Sequence, residues 1–189
     1  MSFGDSLVSD SWEVANGVSM SILQNPVRTR VHATGKGEHF SVPPHWHIAH
    51  DERHVIIKGR IKITQDGVTR IIGPEDGVSF TGRRVVHSIE GFPGEELIIE
   101  ETSTETELTE QKILLFRSMF HDGILQSPLA IMQVFYYGDS YPVFAFGFRW
   151  LEVPVVIILG RWVAPSLGYK LPDSRLRLDP VRFPRDKKD

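Results

Sequence analysis

The chain of 189 residues contains no cysteine. This absence excludes a disulfide framework, a zinc site built from thiolates and a cysteine nucleophile, and it favours a reducing, cytoplasmic compartment. The chain also lacks a surplus of positive charge, since its formal net charge is −3. A basic surface that would attract nucleic acid is therefore not expected.

Long apolar runs are missing as well. No uninterrupted apolar stretch reaches the roughly 18 residues that a membrane-spanning helix needs, and the N-terminal region lacks the basic, apolar and small-residue segments of a secretory signal. What is present is ordinary for a globular protein able to bury a core, with 41% hydrophobic and 24% charged residues. The length suits one domain with an appendage.

The region from Val27 to Thr102 has the composition of β-structure. Short β-branched runs such as "RHVIIKG", "RIKITQ" and "ELIIEET" are separated by Gly, Pro or Asp-Gly. The pair Asp66-Gly67 in "ITQDGVTRI" predicts a tight hairpin turn. Before this region, "SWEVANGVSMSILQ" alternates weakly, as an edge strand would. Several short strands with turn signals between them predict a sandwich or barrel.

The rest of the chain has a helical pattern. The segment "LTEQKILLFRSMFHDG" predicts a helix with Thr109 as its N-cap, and Ser127 followed by proline predicts a second helix that ends at Gly138. We therefore predict a mainly β domain over residues 1–105, followed by an α-helical, apolar extension over residues 106–189.

The segment 129–167 carries nine of the 19 aromatic residues of the chain. We expect it to pack on the β domain or against a second subunit, as in a homodimer, because an apolar surface of this size is otherwise left uncovered. A second interpretation is a peripheral membrane contact, since Trp150 and Trp162, with Arg149 and Arg161 beside them, flank "LEVPVVIILGR". A third is that these aromatics line a pocket for a hydrophobic substrate.

Four of the eight histidines lie in one stretch, "PPHWHIAHDERHVIIKG". If this stretch were helical, His47, His50 and His54 would share a face and could bind zinc. If it is extended, His45 and His47 point the same way, and Glu52 follows at the head of the next strand. The β-branched continuation "HVIIKGRIKIT" favours the extended alternative.

A further histidine, His87 in "RRVVHSIEG", shares its strand face with apolar neighbours that would point into the core. A histidine in such a position usually makes an ordinary core hydrogen bond. Together with His45, His47 and Glu52, however, it makes a set of three imidazoles and one carboxylate. This mixed nitrogen and oxygen set suits Fe(II), Mn(II), Ni(II), Cu(II) or Zn(II).

The stretch "HWHIAHDERHVIIKG" resembles the first cupin motif, which places a His-x-His pair, a glutamate and a glycine at His45, His47, Glu52 and Gly59. The second cupin motif is matched by "DGVSFTGRRVVHSIEG", with His87 as its histidine. The resemblance covers roughly residues 27–102 and implies a double-stranded β-helix, the small cupin jelly-roll barrel.

The second motif departs from the family pattern around His87. Where cupins have Gly, Pro, Gly and Asn, this chain has Asp76, Gly82, Arg84 and Gly91. These departures put the shape of the loop before His87 in question, with Arg83 and Arg84 placed near the barrel rim. Both arginines are candidates for contacting an anionic group of a substrate.

The resemblance implies that His45, His47, Glu52 and His87 bind one divalent metal ion, with Fe(II) favoured over Mn, Ni, Cu or Zn. We expect an enzyme that acts on a small hydrophobic metabolite, with an oxygenase or oxidase reaction in secondary metabolism. Two alternatives stay open: a non-redox isomerase, cyclase, dehydratase or decarboxylase, and a ligand-binding cupin without turnover. His54 is the candidate general base.

For the other histidines and acids of this region, the sequence alone gives weaker grounds for a chemical role. His50 and His54 are expected to face solvent or to lie beside the ligands, although His54 could point inward because it follows Glu52 by two residues. Glu100 and Glu101, with the other glutamates after His87, are expected on the outer face of a strand.

Overall fold

We analysed a computed structural model, which describes residues 11–23, 26–120, 124–144 and 148–170. The chain divides into two compact units, with the boundary between Glu105 and Thr106. The first is built from β-strands and the second mainly from helices. The chain is thus mainly β with helices at its C-terminal end, as the sequence predicted.

The first unit consists of short strands. They are β1 Ser11–Ala15, β2 Val18–Leu23, β3 Arg28–Ala33, β4 Ser41–Trp46, β5 Glu52–Lys58, β6 Ile61–Gln65, β7 Val68–Ile72, β8 Val78–Thr81, β9 His87–Gly91 and β10 Leu97–Thr102, with a 3₁₀ turn at Pro74–Asp76.

These strands form two antiparallel sheets. One sheet has the order β1-β2-β3-β10-β5-β8, and the other, within this unit, has the order β4-β9-β6-β7. Strand β10 thus lies between β3 and β5, and β9 lies between β4 and β6, so that strands far apart in the chain are neighbours. This interleaving is the jelly-roll arrangement that the sequence predicted.

The core of this unit lies on the inward faces of both sheets. Burial alternates residue by residue along β2, β3, β6 and β9, as expected for strands with one buried face. Ile61, Ile63 and Leu97 are almost completely inaccessible to solvent. The same alternation on β5 buries Glu52, His54 and Ile56, which places two polar groups among the core positions.

Two predictions, one for a turn and one for a strand, had different outcomes. Asp66 and Gly67 have φ angles of 45° and 83° and join β6 to β7, which confirms the predicted hairpin. The segment before Val27 is not a single edge strand. It forms the hairpin of β1 and β2, because Gly17 takes a φ of 74° and reverses the chain between them.

Gly59, in the turn between β5 and β6, is expected to tolerate no side chain. Its φ is 77°, and a Cβ there would lie 2.2 Å from the carbonyl oxygen of Glu96. Gly67 has a similar φ of 83°, but a Cβ would meet nothing within 4 Å. Gly67→Ala should therefore cost only the left-handed strain, about 1–2 kcal/mol, whereas Gly59→Ala should cost about 3 kcal/mol or more. Urea unfolding of both variants measures the difference, and equal costs would contradict the close backbone approach.

The second unit contains α1 Thr106–Met119, a 3₁₀ turn at Ile124–Gln126, α2 Pro128–Tyr137 and the two-residue strand β11 Tyr141–Pro142. Helix α1 begins three residues before Thr109, so the predicted N-cap at Thr109 is wrong. The polar run "STETELT" offers serine or threonine at several positions, and cap preference alone does not choose among them.

The prediction for α2 is confirmed. The Ser127 side chain accepts a hydrogen bond from the backbone N–H of Ala130 at 3.4 Å, Pro128 is the first helical residue, and Gly138 follows the last one. Serine at the N-cap and proline at the first position are both favoured at a helix start, since neither leaves an extra amide unsatisfied.

The apolar segment after β11 is helical where it is described. It comprises α3 Arg149–Val156, a π-helical stretch Ile157–Val163 and a last turn Ala164–Ser166. Trp150 and Trp162 are exposed. Within the described ranges, no helix has the length and apolar character needed to cross a membrane. The predicted contact of this segment with a second subunit or a membrane surface stays a prediction.

Candidate metal centre

The four residues of the predicted ligand set come from three strands. His45 lies near the end of β4 and His47 directly after it, Glu52 is the first residue of β5, and His87 is the first residue of β9. His45 and His87 occupy directly opposite positions of the β4–β9 pair. The antiparallel pairing of β4 with β9 thus brings together two imidazoles, those of His45 and His87, that are 42 residues apart in the chain.

The Glu52 carboxylate lies among the three imidazoles. Its Oε1 is 2.9 Å from His47 Nε2 and 3.9 Å from His45 Nε2, and its Oε2 is 2.8 Å from His87 Nε2. One ligand atom from each of the four residues can be chosen so that all lie within 4.8 Å of one another. The motif residues therefore converge on one point of the jelly-roll barrel.

The two interleaved sheets form a jelly-roll.

Searches against solved structures found cupins and cupin-like proteins, all with low sequence identity. KdgF from Halomonas sp. is 19% identical, with a TM-score of 0.42, over 51% of this chain and 86% of that one. An RmlC-like cupin from Shewanella frigidimarina is 16% identical, with a TM-score of 0.38, over 55% and 87%. A predicted oxalate decarboxylase from Thermotoga maritima is 21% identical, with a TM-score of 0.42, over 52% and 93%. No family model matches the sequence, and no curated protein matches it.

The imidazoles at this point of the barrel pack closely together and are largely shielded from water. The ring centroids are 4.2 Å apart for His45 and His87, 5.0 Å for His45 and His47, and 5.5 Å for His47 and His87. The side chains of His47 and His87 are buried, and that of His45 is 14% exposed. This leaves His45 as the most accessible of the three.

The backbone fixes the tautomer of two of these rings. His45 Nδ1 is 2.9 Å from the Pro43 carbonyl oxygen, and His87 Nδ1 is 3.1 Å from the Val85 carbonyl oxygen. A carbonyl can only accept a hydrogen bond, so each Nδ1 carries the proton and donates it. The Nε2 atoms, which lie 3.9 Å (His45) and 2.8 Å (His87) from an oxygen of Glu52, are then the nitrogens available to a metal ion.

Burial keeps His45 neutral. Its pKa is lowered from 6.5 to about 3, first because burial disfavours the charged imidazolium and then because His87 lies close by. Neutral imidazole is the protonation state that binds a metal ion. Three imidazoles and one carboxylate whose donor atoms face each other therefore fit a divalent ion with mixed nitrogen and oxygen ligands.

The stability of the metal-free protein is expected to depend on the protonation of His45. The unfolded chain binds a proton at this position near pH 6.5, whereas the folded chain does so only near pH 3. Between these values the unfolded state holds more protons, so the free energy of unfolding should fall as the pH is lowered, by up to about 1.4 kcal/mol per pH unit.

Urea unfolding with chelator at several pH values between 7 and 3 measures this slope. His45→Asn should give a shallower slope than the wild type. His39→Asn is the matched control, because His39 is a surface histidine whose nearest acid is Glu90 at 3.9 Å. Identical slopes for the wild type and His45→Asn would contradict the expectation.

His50 and His54 are both buried, so of their two expected positions the one facing solvent is wrong, and they lie beside the proposed ligands instead. The His50 ring lies 5.6 Å from the His47 ring. His54 points inward because it follows Glu52 by two residues on β5, and its Nε2 lies 3.4 Å from Glu52 Oε2. The candidate general base therefore lies next to the carboxylate of the metal centre; its catalytic role stays a prediction.

The two candidate substrate-binding arginines lie in the turn between β8 and β9, and both are exposed. An Arg83 guanidinium nitrogen is 3.5 Å from Glu105 Oε1. Arg84 has a φ of 64°, a backbone conformation that glycine adopts more readily than other residues. Its backbone N–H donates to the His47 carbonyl at 2.7 Å. The backbone of Arg84 thus holds the segment of His47 in position, and binding of an anionic substrate group stays a prediction.

Glu101 was missed by the sequence analysis, which placed it on an outer face. Its side chain is 18% exposed, and its Oε2 lies 3.6 Å from His54 Nε2. Glu100, its neighbour in β10, points the other way and pairs with Arg28 and Arg30. Two consecutive strand residues cannot share a face, so the pair Glu100-Glu101 itself was the available signal.

Proposed function

We propose that this cupin is a metal-dependent enzyme that acts on a small, hydrophobic organic molecule. The observation that carries the proposal is the convergence of three imidazoles and one carboxylate at a single buried point. We propose His45, His47, Glu52 and His87 as ligands of one divalent ion, with Fe(II) favoured and Mn, Ni, Cu and Zn as the other candidates.

Four protein ligands leave room for a substrate, because a five- or six-coordinate ion then keeps one or two positions open. When bound, a divalent ion supplies Lewis-acid chemistry, and a redox-active ion such as iron supplies dioxygen chemistry as well. Open positions distinguish catalytic sites from structural ones, which supports an enzyme over a cupin that only binds a ligand.

The residues of the chain prepare this site in three ways. The carbonyl groups of Pro43 and Val85 orient the rings of His45 and His87. Burial holds His45 in its neutral form. The Glu52 carboxylate contributes the negative charge that a divalent ion needs among neutral ligands.

We propose oxidation of the substrate by dioxygen as the first reaction class. The alternative is a non-redox isomerisation, cyclisation, dehydration or decarboxylation. The alternative is favoured by the position of His54, whose Nε2 lies 3.4 Å from Glu52 Oε2. An imidazole beside the metal centre can take or give a proton without any change of redox state.

Metal analysis of the purified protein, with dioxygen uptake as the second readout, tests the proposal. Bound iron, together with dioxygen consumption when small hydrophobic phenols, enols or carboxylic acids are added, would support the oxygenase. Bound zinc or nickel with product formation under anaerobic conditions would support the non-redox alternative. A protein that binds none of the five metals would overturn the proposal. The homodimer and the cytoplasmic location stay predictions beside it.

A further inference from the structure

A row of polar side chains crosses the inner face of the six-stranded sheet next to the proposed metal centre. In the register of the sheet, Glu101 of β10 is directly opposite His54 of β5, and His54 is directly opposite Ser79 of β8. Directly opposite residues of an antiparallel pair point to the same face. The adjacent inward pair, Ile99 and Ile56, is apolar and buried, so the polar row occupies positions where core residues are expected.

His54 is the central member of this row and is 1% exposed. Among the residues that the structure describes, neither of its ring nitrogens has a hydrogen-bond partner, and the buried Ser79 hydroxyl has none either. A buried imidazole without a hydrogen bond is costly, since the lost hydration is not replaced. Two buried polar groups without a hydrogen-bond partner on neighbouring strands indicate that a bound ligand from outside the chain interacts with them.

The spacing around His54 Nε2 fits a cation better than hydrogen bonds. It lies 3.4 Å from Glu52 Oε2 and 3.6 Å from Glu101 Oε2. Both distances exceed the usual N–H···O range of about 2.7–3.2 Å. Donor atoms about 2.1 Å from a tetrahedral ion are about 3.4 Å apart, which is close to both separations.

Glu52 belongs to both groups of donor atoms. Its Oε1 lies near His45 and His47, whereas its Oε2 lies 2.8 Å from His87 Nε2 and 3.4 Å from His54 Nε2. Ligand atoms of Glu52, His54 and Glu101 can all be chosen within 4.8 Å of one another. A carboxylate has lone pairs on both oxygens, so one glutamate can bind two ions at once.

We propose that Glu52, His54 and Glu101 bind a second divalent cation, so that the barrel holds a two-ion centre bridged by the Glu52 carboxylate. The inference rests on the proposed function, because it takes the first ion as given. One imidazole and two carboxylates favour a cation that accepts both nitrogen and oxygen, such as Mn(II), Fe(II) or Zn(II). The second ion would leave His54 as a ligand and not as a general base.

Mn(II) is the probe, because both its binding and its magnetic environment can be measured without knowledge of the substrate. Equilibrium dialysis of the full chain should give two Mn(II) ions per chain, and electron paramagnetic resonance should show a spin-coupled pair instead of the six-line spectrum of an isolated ion. Glu101→Gln and His54→Ala should each lower the stoichiometry to one ion and restore the six-line spectrum.

Glu100→Gln is the matched control. It changes the neighbouring acid of the same strand, which points away from His54 and pairs with Arg28 and Arg30, and it should keep two ions. Glu101→Gln is the decisive variant if His54→Ala fails to fold, since it removes only a charge at a partly exposed side chain.

The outcomes separate the two proposals. One ion in the wild type that is retained by Glu101→Gln and lost in His47→Ala would overturn the second site and leave the proposed function intact. A wild type that binds neither Mn(II) nor any of the other four candidate metals would overturn both. Two ions in both Glu101→Gln and His54→Ala would place the second ion elsewhere and overturn the inference.

Discussion

Replacing His47 with alanine is expected to abolish metal binding at the four-residue centre. His47 Nε2 lies 2.9 Å from Glu52 Oε1, and its ring is buried. The substitution removes one of three imidazole ligands and leaves a cavity in its place. Loss of a residue that only hydrogen-bonds to a ligand lowers metal affinity by about 10–100-fold, so loss of a ligand itself should lower the affinity for the metal ion by at least about 100-fold.

Thermal unfolding with and without metal measures this loss. An ion that binds only the folded state at about 1,000 times its dissociation constant adds about 4 kcal/mol of stability. The wild type should therefore show a marked rise in Tm on addition of Zn(II) or Mn(II), and His47→Ala should show a much smaller rise or none. Comparing each variant with and without metal cancels the cost of the cavity itself.

His39→Ala is the control, because His39 is a surface histidine near Glu90 and lies outside the centre. It should show the same metal-dependent rise in Tm as the wild type. A rise in His47→Ala as large as in the wild type would rule out the proposed ligand set, whatever the identity of the metal.

The second large effect is expected in the core of the barrel. Ile63 of β6 is fully inaccessible to solvent and lies opposite Ile89 of β9. Ile63→Ala removes buried carbon atoms and leaves a cavity in a closely packed interior, which should lower the free energy of unfolding by about 2–5 kcal/mol.

Ile71→Ala is the matched control, since Ile71 lies on the neighbouring strand β7 but is 57% exposed. This variant should cost less than about 0.5 kcal/mol, as is usual for surface positions. Urea unfolding in the presence of chelator, followed by circular dichroism, compares the two without a contribution from bound metal. Equal costs for both would contradict the placement of Ile63 in the core of the barrel.

The fold and the position of the site could be predicted because several local patterns agreed. Turn residues such as Asp66 and Gly67 have steric preferences that act within a few residues, and β-branched runs between them define strands. The spacing of His45, His47 and Glu52 places all three in one short stretch, so their convergence depends on little more than one turn and one strand alternation. The helix of Pro128–Tyr137 was predictable for the same reason, since its cap chemistry is local.

The start of α1 could not be located because its signals are degenerate. Serine and threonine occur at several positions between β10 and the helix, and each is a reasonable N-cap. Which of them begins the helix depends on contacts that cap preference does not describe, such as the hydrogen bonds from the Thr104 hydroxyl and backbone N–H to the Asp51 carboxylate, at 2.6 and 2.7 Å.

Local patterns in the chain were sufficient for the short strands of a sandwich or barrel, and the resemblance to the cupin motifs implied the jelly-roll and the four residues that meet at its candidate metal centre. The inward position of His54 beside Glu101 depended on the folded chain. Strand alternation predicts that the side chains of Glu100 and Glu101 point to opposite faces of the sheet, but it does not predict which of the two points to the interior. That choice follows from the placement of β10 between β3 and β5, because only the pairing of distant strands brings Glu101 opposite His54.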